Sequence, residues 1–294
     1  MSASLRVGLV GAGPWAQETH APALAAHPGI DFVGGWARNP EAAAALFPQS
    51  FDSVDALFAA VDAVAFAVPP NVQAPLAVRA AQAGKHVVLD KPIALDVAGA
   101  EELAAAVTAA DVRSIVAFTR RFAPETRDFV ARAAALDAVA VEAQWLSGAA
   151  LAGRFAASAW RQEQGALFDV GPHILDLVDA VAGAVESVAA ARYDEPSDTW
   201  TIQLEHRNGA ASTVSLSLRT PAIPTVMRVA AHSGAGVAVL ESRDTSAVAC
   251  FGVLLDEFLE SISTGVDHPL GVARGLVLQQ LIGRIQDAAR ATGR

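Results

Sequence analysis

The sequence predicts an α/β protein in which a doubly wound parallel sheet over residues 1–121 precedes a mostly antiparallel sheet with helices over residues 122–294. Three observations favour this class. Apolar runs of strand length alternate with helix-length segments in the first part of the chain. A glycine-rich turn, Gly11–Ala16, follows the first apolar run directly. Beyond Arg121, alternating polar and apolar runs appear, and Asn208-Gly209 between two of them is a strong hairpin signal.

In the first part, apolar runs predict strands and the segments between them predict helices. The predicted strands are Leu5–Val10, Ile30–Trp36, Ala63–Val68, His86–Leu89 and Arg113–Phe118. The predicted helices are Trp15–Ala26, a helix that begins after the cap Asn39, Gln73–Ala83 and Asp96–Ala110. Pro28-Gly29 and Gly84 end two of these helices, and Pro69-Pro70 ends the third strand. Strands separated by helices of this length pair in parallel.

The second part predicts strands joined largely by short turns. The predicted strands are Val139–Leu146, Ser187–Tyr193, Thr199–His206, Ala211–Leu218, Val226–His232 and Val237–Ser242. The predicted helices are Pro124–Leu136, a helix that begins near Gly171, Phe251–Ser263 and Val272–Ala291. Alternating runs are typical of an antiparallel sheet with one buried face, so we expect the helices to cover one face of this sheet.

Composition limits the classes of partner. The formal net charge is −10, and basic residues form no stripe, so nucleic acid is not expected as a partner. The lone Cys250 lies in an apolar run and is expected to be a buried, inert thiol. A basic segment followed by an apolar core is missing from the N-terminus, and no apolar stretch reaches membrane-spanning length. We therefore expect a cytoplasmic protein without membrane contact.

The turn after the first strand has the pattern of a dinucleotide-binding turn. Gly11 permits a tight turn, Gly13 lets the backbone approach a pyrophosphate, and Ala16 allows close packing of the helix on the strand. Pro14 and Trp15 complete the turn, and the helix that follows directs its N-terminal N–H groups at phosphate. The alternative is a glycine-rich surface turn, which the preceding strand disfavours.

The end of the second predicted strand bears on the choice of dinucleotide. Ala37 stands about twenty residues beyond the glycine motif, where an acidic side chain would bind the ribose hydroxyls of NAD. Arg38 follows with a planar group suited to phosphate, and Asn39 adds a donor. We therefore expect NADP(H) to be preferred over NAD(H). The alternative is that Arg38 is a solvated turn residue.

Two further segments contain residues suited to proton transfer. Lys91 lies in Asp90-Lys91-Pro92, directly after a predicted parallel strand, where it is placed to hydrogen-bond a substrate hydroxyl and share its proton. His173 is expected in the first turn of a helix, just after Asp169 and on the same face as Asp176. The alternatives are a solvated loop lysine, a helix-capping aspartate and a buried core histidine. The remaining histidines lack metal-ligand spacing, so we expect no metal site.

Together these segments resemble the glucose–fructose oxidoreductase, inositol dehydrogenase and rhizopine-catabolism (Gfo/Idh/MocA) family. The resemblance covers nearly the whole chain. It rests on Gly11-x-Gly13-x-x-Ala16 with His20-Ala-Pro-Ala-Leu, Val68-Pro-Pro-Asn71, Ala83-Gly-Lys-His-Val-Val-Leu-Asp-Lys-Pro92, Arg120-Arg121-Phe122-x-Pro124, Trp160-Arg161, and Gly165-Ala-Leu-Phe-Asp-x-Gly-x-His-x-x-Asp176.

The resemblance implies a Rossmann domain followed by an α/β domain with a large, open sheet whose outer face forms dimers or tetramers. It implies hydride transfer between a nicotinamide cofactor and a sugar, cyclitol or related carbonyl or hydroxyl compound. Lys91 and His173 would then handle the proton and Asp169 would orient the substrate, with all three converging in one cleft. It extends the cofactor-binding set to Val68, Pro69, Pro70, Asn71, Asp90 and Lys91, and the substrate-binding set to Arg121, Trp160 and Arg161.

Several positions depart from the family pattern. Asp90 replaces a common glutamate, Gln73 stands where histidine is frequent, and the segment between Arg161 and Gly165 is short, with a single glycine.

Two other functions therefore remain open at this point. One is a sensor or regulator that binds the nucleotide without turnover. The other is a glycoside-cleaving enzyme that retains NAD, which the missing acid at Ala37 disfavours.

A homodimer or homotetramer is expected through the second sheet. The runs Thr199–His206 and Ala211–Leu218 place polar residues on one face and apolar residues on the other. A mixed polar face is suited to association between sheets as well as to solvent.

Overall fold

The structure, a computed structural model, describes residues 4–153 and 158–292. Contacts divide the chain into two compact units. The first contains the residues up to Phe122 together with Ser246–Gln279, and the second contains Ala123–Thr245 together with the residues from Gln280 onward. The α/β class is confirmed, with one parallel sheet and one mostly antiparallel sheet.

Strands and helices alternate in the first part of the chain, and strands dominate the second. The strands are β1 (Leu5–Val10), β2 (Ile30–Trp36), β3 (Ala63–Phe66), β4 (His86–Leu89), β5 (Ser114–Val116), β6 (Ala140–Leu146), β7 (Val185–Asp194), β8 (Thr199–His206), β9 (Ala211–Ser217), β10 (Val226–Ser233) and β11 (Gly236–Leu240). The helices are α1 (Ala21–Ala26), α2 (Pro40–Leu46), α3 (Val54–Ala60), α4 (Pro70–Gln82), α5 (Val97–Ala109), α6 (Pro124–Leu136), α7 (Ala159–Asp169), α8 (Gly171–Ala182), α9 (Ala247–Thr264) and α10 (Val272–Thr292). A π-helical turn, Ala16–His20, precedes α1, and a 3₁₀ turn, Thr119–Phe122, precedes α6.

The first unit is built on a parallel sheet with strand order β2-β1-β3-β4-β5. All four residues of β3 are buried, as are Val7–Val10 of β1. Strands that are covered on both faces read as continuous apolar runs, which is why the sequence identifies them. The strand order places β1 between β2 and β3, so the chain reverses its direction across the sheet beside β1.

Side-chain caps begin several helices of the first unit. The Asn39 Oδ1 atom accepts hydrogen bonds from the backbone N–H groups of Glu41 and Ala42 at 2.9 and 3.2 Å, which confirms the predicted cap of α2. The sequence patterns do not predict α3, although the Ser53 hydroxyl caps it by accepting from the Ala56 N–H at 3.1 Å. A short helix with a serine cap lacks the periodicity that identified the longer helices.

The segment Ser246–Gln279 packs with the first unit, whereas the sequence-based division at residues 121 and 122 places it with the second. Phe251 of α9 lies against His20, with ring centroids 4.4 Å apart, and Phe258 meets the edge of His86 at 6.4 Å. Both phenylalanines are fully buried. The burial of α9 therefore depends on partners far away in the chain, which local patterns do not identify.

The second unit is built on a six-stranded sheet with order β11-β10-β6-β9-β8-β7. Its pairs are antiparallel except for β6 and β9, which are parallel. Trp200, Ile202 and Leu204 of β8 are buried, and the residues between them are exposed, so one face of the sheet is covered. The predicted hairpin between β8 and β9 is confirmed, and Gly209 in its turn has a φ of 85°.

Among residues 4–153 and 158–292, none of the helices has both the length and the apolar character needed to cross a bilayer. Within the same part of the chain, histidine, cysteine, aspartate and glutamate side chains form no group of three or more that is arranged to hold a metal ion.

Candidate functional site

The first unit collects the sequence-predicted cofactor residues at one edge of its sheet. Parallel strands end at the same edge, and each of these residues follows the carboxyl end of a strand. The residues are Gly11, Gly13, Pro14, Trp15 and Ala16 after β1, Ala37, Arg38 and Asn39 after β2, Val68, Pro69, Pro70 and Asn71 after β3, and Asp90 and Lys91 after β4. Arg121, which was predicted to bind substrate, follows β5. In open α/β sheets, ligands bind at this edge beside the strand where the chain reverses its direction.

The two glycines of the first turn are required for different reasons. Gly11 has a φ of 109°, and a Cβ atom there would lie 2.4 Å from the Ala67 carbonyl oxygen. Its N–H donates to the Trp36 carbonyl at 2.9 Å, which ties the turn to the end of β2. Gly13 differs, because no atom of the described residues other than its own and those of its two chain neighbours lies within 4 Å of the Cβ position. Packing within the protein explains Gly11, and it gives no reason for glycine at residue 13.

The helix predicted at Trp15–Ala26 is confirmed, although it is not α-helical throughout. Its first part, Ala16–His20, is π-helical, and the Ala21 N–H bonds to the Ala16 carbonyl. Ala16 is fully buried, as expected for the small third residue of the motif. The side chains of Thr19 and His20, both in this π-helical turn, are buried inside the first unit.

The segment after β2 remains open to solvent at Arg38. Ala37 is half-buried, and Arg38 and Asn39 are exposed. Asn39 caps α2 through its Oδ1 atom, which accepts from two backbone N–H groups. The side-chain N–H₂ group of Asn39 takes no part in these two bonds.

Gln73 of α4 holds the backbone around Lys91. Its Oε1 atom accepts from the Asp90 N–H at 2.7 Å, and its Nε2 atom donates to the carbonyl oxygens of Asp90 at 2.8 Å and Ile93 at 3.1 Å. The Pro92 carbonyl lies further away, at 3.3 Å. Gln73 is fully buried, whereas Lys91 is half-buried.

In the sequence, Gln73 stands out only as a departure from a family pattern, and its place in the site was not predicted. The available signal was a polar residue on a helix face whose other members, Ala74, Ala77 and Ala81, are small and buried. A buried amide requires hydrogen-bond partners, and here the partners are backbone groups of the segment that contains Lys91.

His20 lies buried beside the same segment. Its Nε2 atom is 4.0 Å from Asp90 Oδ2, which is too long for a hydrogen bond. Neither ring nitrogen has a hydrogen-bond partner among the described residues. Burial lowers the pKa of His20 to about 3, so the imidazole is neutral near pH 7 and its contact with Asp90 is not an ion pair.

In the second unit, a break at Gly165 shapes the segment that leads to the predicted catalytic helix. Gly165 has a φ of 64°, and a Cβ atom there would lie 2.3 Å from Asp198 Oδ1. The next residue, Ala166, donates its N–H to Asp198 Oδ2 at 2.9 Å. Asp198 is 2% exposed, and this burial raises the pKa of its carboxyl group. The single glycine noted in the sequence is therefore required by a buried carboxylate.

The predicted substrate residues of the second unit lie on α7 and at the start of α8. Arg161 Nε is 3.2 Å from Asp169 Oδ2, and the Arg161 guanidinium lies 4.8 Å from the centre of the Trp160 ring. His173 lies in the first turn of α8, as predicted, and stacks on Trp145 of β6 with ring centroids 5.9 Å apart. Trp145 is a member of this cluster that the sequence analysis did not identify.

Comparison with known proteins identifies two family domains in the chain. Residues 5–118 match the model described as "Oxidoreductase family, NAD-binding Rossmann fold". Residues 127–235 match the model described as "GFO/IDH/MocA C-terminal domain". The two matches fall on the parallel-sheet part and the antiparallel-sheet part of the chain.

Individual relatives are similar over shorter stretches or at lower identity. Galactose 1-dehydrogenase of Pseudomonas fluorescens is 36% identical over 91 residues, which are 30% of this chain and 29% of that protein. An oxidoreductase domain protein from Kribbella flavida has a TM-score of 0.88 at 21% identity, over 99% of this chain and 98% of that chain. The WlbA dehydrogenase from Bordetella pertussis, solved with NADH and UDP-GlcNAcA, has a TM-score of 0.83 at 24% identity, over 99% and 97%. The structural likenesses show a shared fold.

The burial of His20 predicts a stability change with pH. The folded-state pKa lies below the unfolded value of about 6.5, so the unfolded chain binds the extra proton between these values. The stability that neutral His20 provides is complete above pH 6.5 and is lost as the pH falls toward 3. Relative to His20→Gln, the wild type should lose up to about 1.4 kcal/mol of unfolding free energy per pH unit in this range. Urea denaturation from pH 7.5 to 4.5 measures the difference, and a constant difference would contradict the assignment.

Proposed function

Because this chain belongs to the Gfo/Idh/MocA oxidoreductase family, with its NAD-binding Rossmann fold, we propose that it is a nicotinamide-dependent dehydrogenase or reductase acting on CH–OH groups. The proposed substrate class is a sugar, cyclitol or related carbonyl or hydroxyl compound. The observation that carries the proposal is the placement of Lys91 on a hydrogen-bonded segment at the same sheet edge as the glycine-rich turn. The family matches and the names of relatives such as galactose 1-dehydrogenase support the reaction class.

The residues of the first turn fit a dinucleotide. Nothing in the described protein requires glycine at residue 13, whereas a pyrophosphate that approaches the backbone would require it. The helical backbone that follows offers N–H groups to phosphate, and Val68, Pro69, Pro70 and Asn71 stand at the end of the neighbouring strand β3. When bound, the nicotinamide supplies the hydride donor or acceptor.

In this proposal, Lys91 hydrogen-bonds the reacting hydroxyl or carbonyl oxygen and shares its proton. Removal of hydride from a carbinol carbon requires a base for the hydroxyl proton, and histidine is well suited to that task near neutral pH. We assign Lys91 and His173 as the proton-handling pair. Asp169 orients substrate hydroxyls, with Arg161 beside it at 3.2 Å, and Trp160 and Arg121 complete the substrate-binding set.

We propose NADP(H) as the preferred cofactor. Ala37 provides neither the hydrogen bond to the ribose hydroxyls nor the repulsion of a 2′-phosphate that an acidic residue would. Arg38 is exposed directly after it, where its guanidinium is accessible to a phosphate. The relatives whose structures contain NADH do not decide this preference, because their identity to this chain is below one quarter.

We also propose that the protein forms a homodimer or homotetramer through the second sheet. The outer face of β8 exposes Thr201, Gln203 and Glu205. A polar face of this kind is suited to association between sheets as well as to solvent.

Replacement of Lys91 by methionine should lower turnover by about 10²-fold or more, because it removes the group that shares the proton. A panel of sugars and polyols, with nicotinamide absorbance as the readout, identifies a substrate and then measures kcat. Cofactor binding should be retained. Lys85→Met, at the chain's other lysine, is the matched control and should keep its turnover. Unchanged turnover in Lys91→Met would refute the role, and an inactive wild type across the panel would favour a nucleotide-binding sensor.

Replacement of Arg38 by alanine should weaken NADPH binding about tenfold or more and leave NADH binding nearly unchanged, because only NADPH carries the phosphate that Arg38 would pair with. Fluorescence titration gives both dissociation constants. Arg79→Ala, which removes an exposed arginine paired with Asp55, should change neither. If the wild type binds NADH more tightly than NADPH, the proposed preference is wrong.

Light scattering at micromolar concentration should give the mass of a dimer or tetramer. Gln203→Arg, in the middle of the exposed face of β8, should shift the distribution toward the monomer, because like charges then face each other across a symmetric contact. A wild-type protein that is monomeric under these conditions would overturn this proposal.

A further inference from the structure

The side-chain amide of Gln73 makes a set of hydrogen bonds that connects the two ends of one turn. At its first end, Oε1 accepts from the Asp90 N–H and Nε2 donates to the Asp90 carbonyl, at 2.7 and 2.8 Å. At its second end, Nε2 donates to the Ile93 carbonyl at 3.1 Å. The amide thus bonds to both backbone groups of Asp90, as a peptide group of a neighbouring strand would. Its further bond to Ile93 bridges the two residues between them, Lys91 and Pro92.

No other residue type of similar size offers the same donors and acceptor. Glutamate has no donor for the carbonyl groups, leucine has neither donor nor acceptor, and protonated histidine has no acceptor. Asp90 adds a bond of its own, because its Oδ1 atom accepts from the Lys91 N–H at 2.7 Å. The backbone on both sides of the Lys91 Cα atom is therefore held by side chains.

We propose that Gln73 is a positioning residue for Lys91, which it acts upon through the backbone of residues 90–93. The importance of Lys91 rests on the proposed function. The positioning of Lys91 by Gln73 rests on the hydrogen bonds alone. Gln73 is fully buried in the first unit. Its contribution to turnover is to fix the path of the backbone from which the lysine side chain extends.

Charged and titratable side chains lie close to residue 73, so the protonation of a substituted side chain there can be compared with them. Asp90 and Lys91 lie on the held turn, and His20 Nε2 lies 4.0 Å from Asp90 Oδ2. Glutamine does not titrate, so the set of bonds in the wild type does not change with pH. A neutral histidine offers one acceptor and one donor to Asp90, and it loses the acceptor when it is protonated.

The first test measures turnover in Gln73→Glu and Gln73→His. Gln73→Glu should lower kcat tenfold or more and change KM and the NADPH dissociation constant less than threefold. Gln73→His should retain most of its turnover at pH 8 and lose more turnover than the wild type as the pH falls through about 6.5, because a protonated imidazole has no acceptor for the Asp90 N–H. Gln82→Glu is the matched control, because Gln82 is an exposed glutamine on the same helix. Leu57→Ala, which removes a buried side chain elsewhere, controls for lost stability.

The second test observes Lys91 directly and needs no substrate. Reductive methylation with ¹³C labels the side-chain amines of the two lysines in this sequence, Lys85 and Lys91, and Lys91→Met assigns their NMR signals. In Gln73→Glu and in Gln73→His at low pH, the Lys91 signal should shift and narrow, while the Lys85 signal should stay in place. The wild type and Gln82→Glu should give the same spectrum.

The two tests separate the inference from the proposed function. If the Lys91 signal changes in the folded variants and no substrate is found, Gln73 positions Lys91 and only the proposed function fails. If the signal is unchanged in both variants, the inference is overturned, even where kcat falls. If Gln73→Glu does not fold, Gln73→His at pH 8 and at pH 5.5 provides the same comparison within a single variant.

Discussion

The shared direction of the strands in the first sheet is the constraint on which the candidate nucleotide site depends. Parallel strands with helical connections end at one edge, so residues from Gly11 to Arg121 come together although they are far apart in the chain. The position of β1 between β2 and β3 adds the reversal of chain direction beside which ligands bind in sheets of this kind. Any residue that follows a strand of this sheet is therefore a candidate for the site.

Two buried polar side chains hold the segments from which the proposed catalytic groups extend. In the first unit, Gln73 bonds to the backbone around Lys91. In the second unit, Asp198 accepts from the Ala166 N–H and faces Gly165, which leads toward Asp169. Buried polar groups lose hydration, and each recovers hydrogen bonds only if one backbone arrangement is kept. Because any other backbone arrangement would leave these buried groups without hydrogen bonds, both segments keep a defined geometry.

Glycine has two separate roles in these segments. Gly11 and Gly165 have positive φ angles, and a Cβ atom at either would collide with an oxygen of the protein. Their identity follows from the fold alone. Gly13 has no such neighbour among the described residues, so packing within the protein does not explain its identity. The contrast distinguishes a structural glycine from a candidate binding glycine within one motif.

The sequence by itself determined the α/β class, the strands of both sheets, the cap at Asn39 and the placement of Lys91 after β4, because these depend on local periodicity and turn chemistry. Tertiary structure alone decided the role of Gln73, the stacking of Trp145 on His173, the collision that requires Gly165, and the packing of α9 with the first unit. Each of these depends on partners distant in the chain, and the pattern of residues around one position does not specify which distant group will meet it.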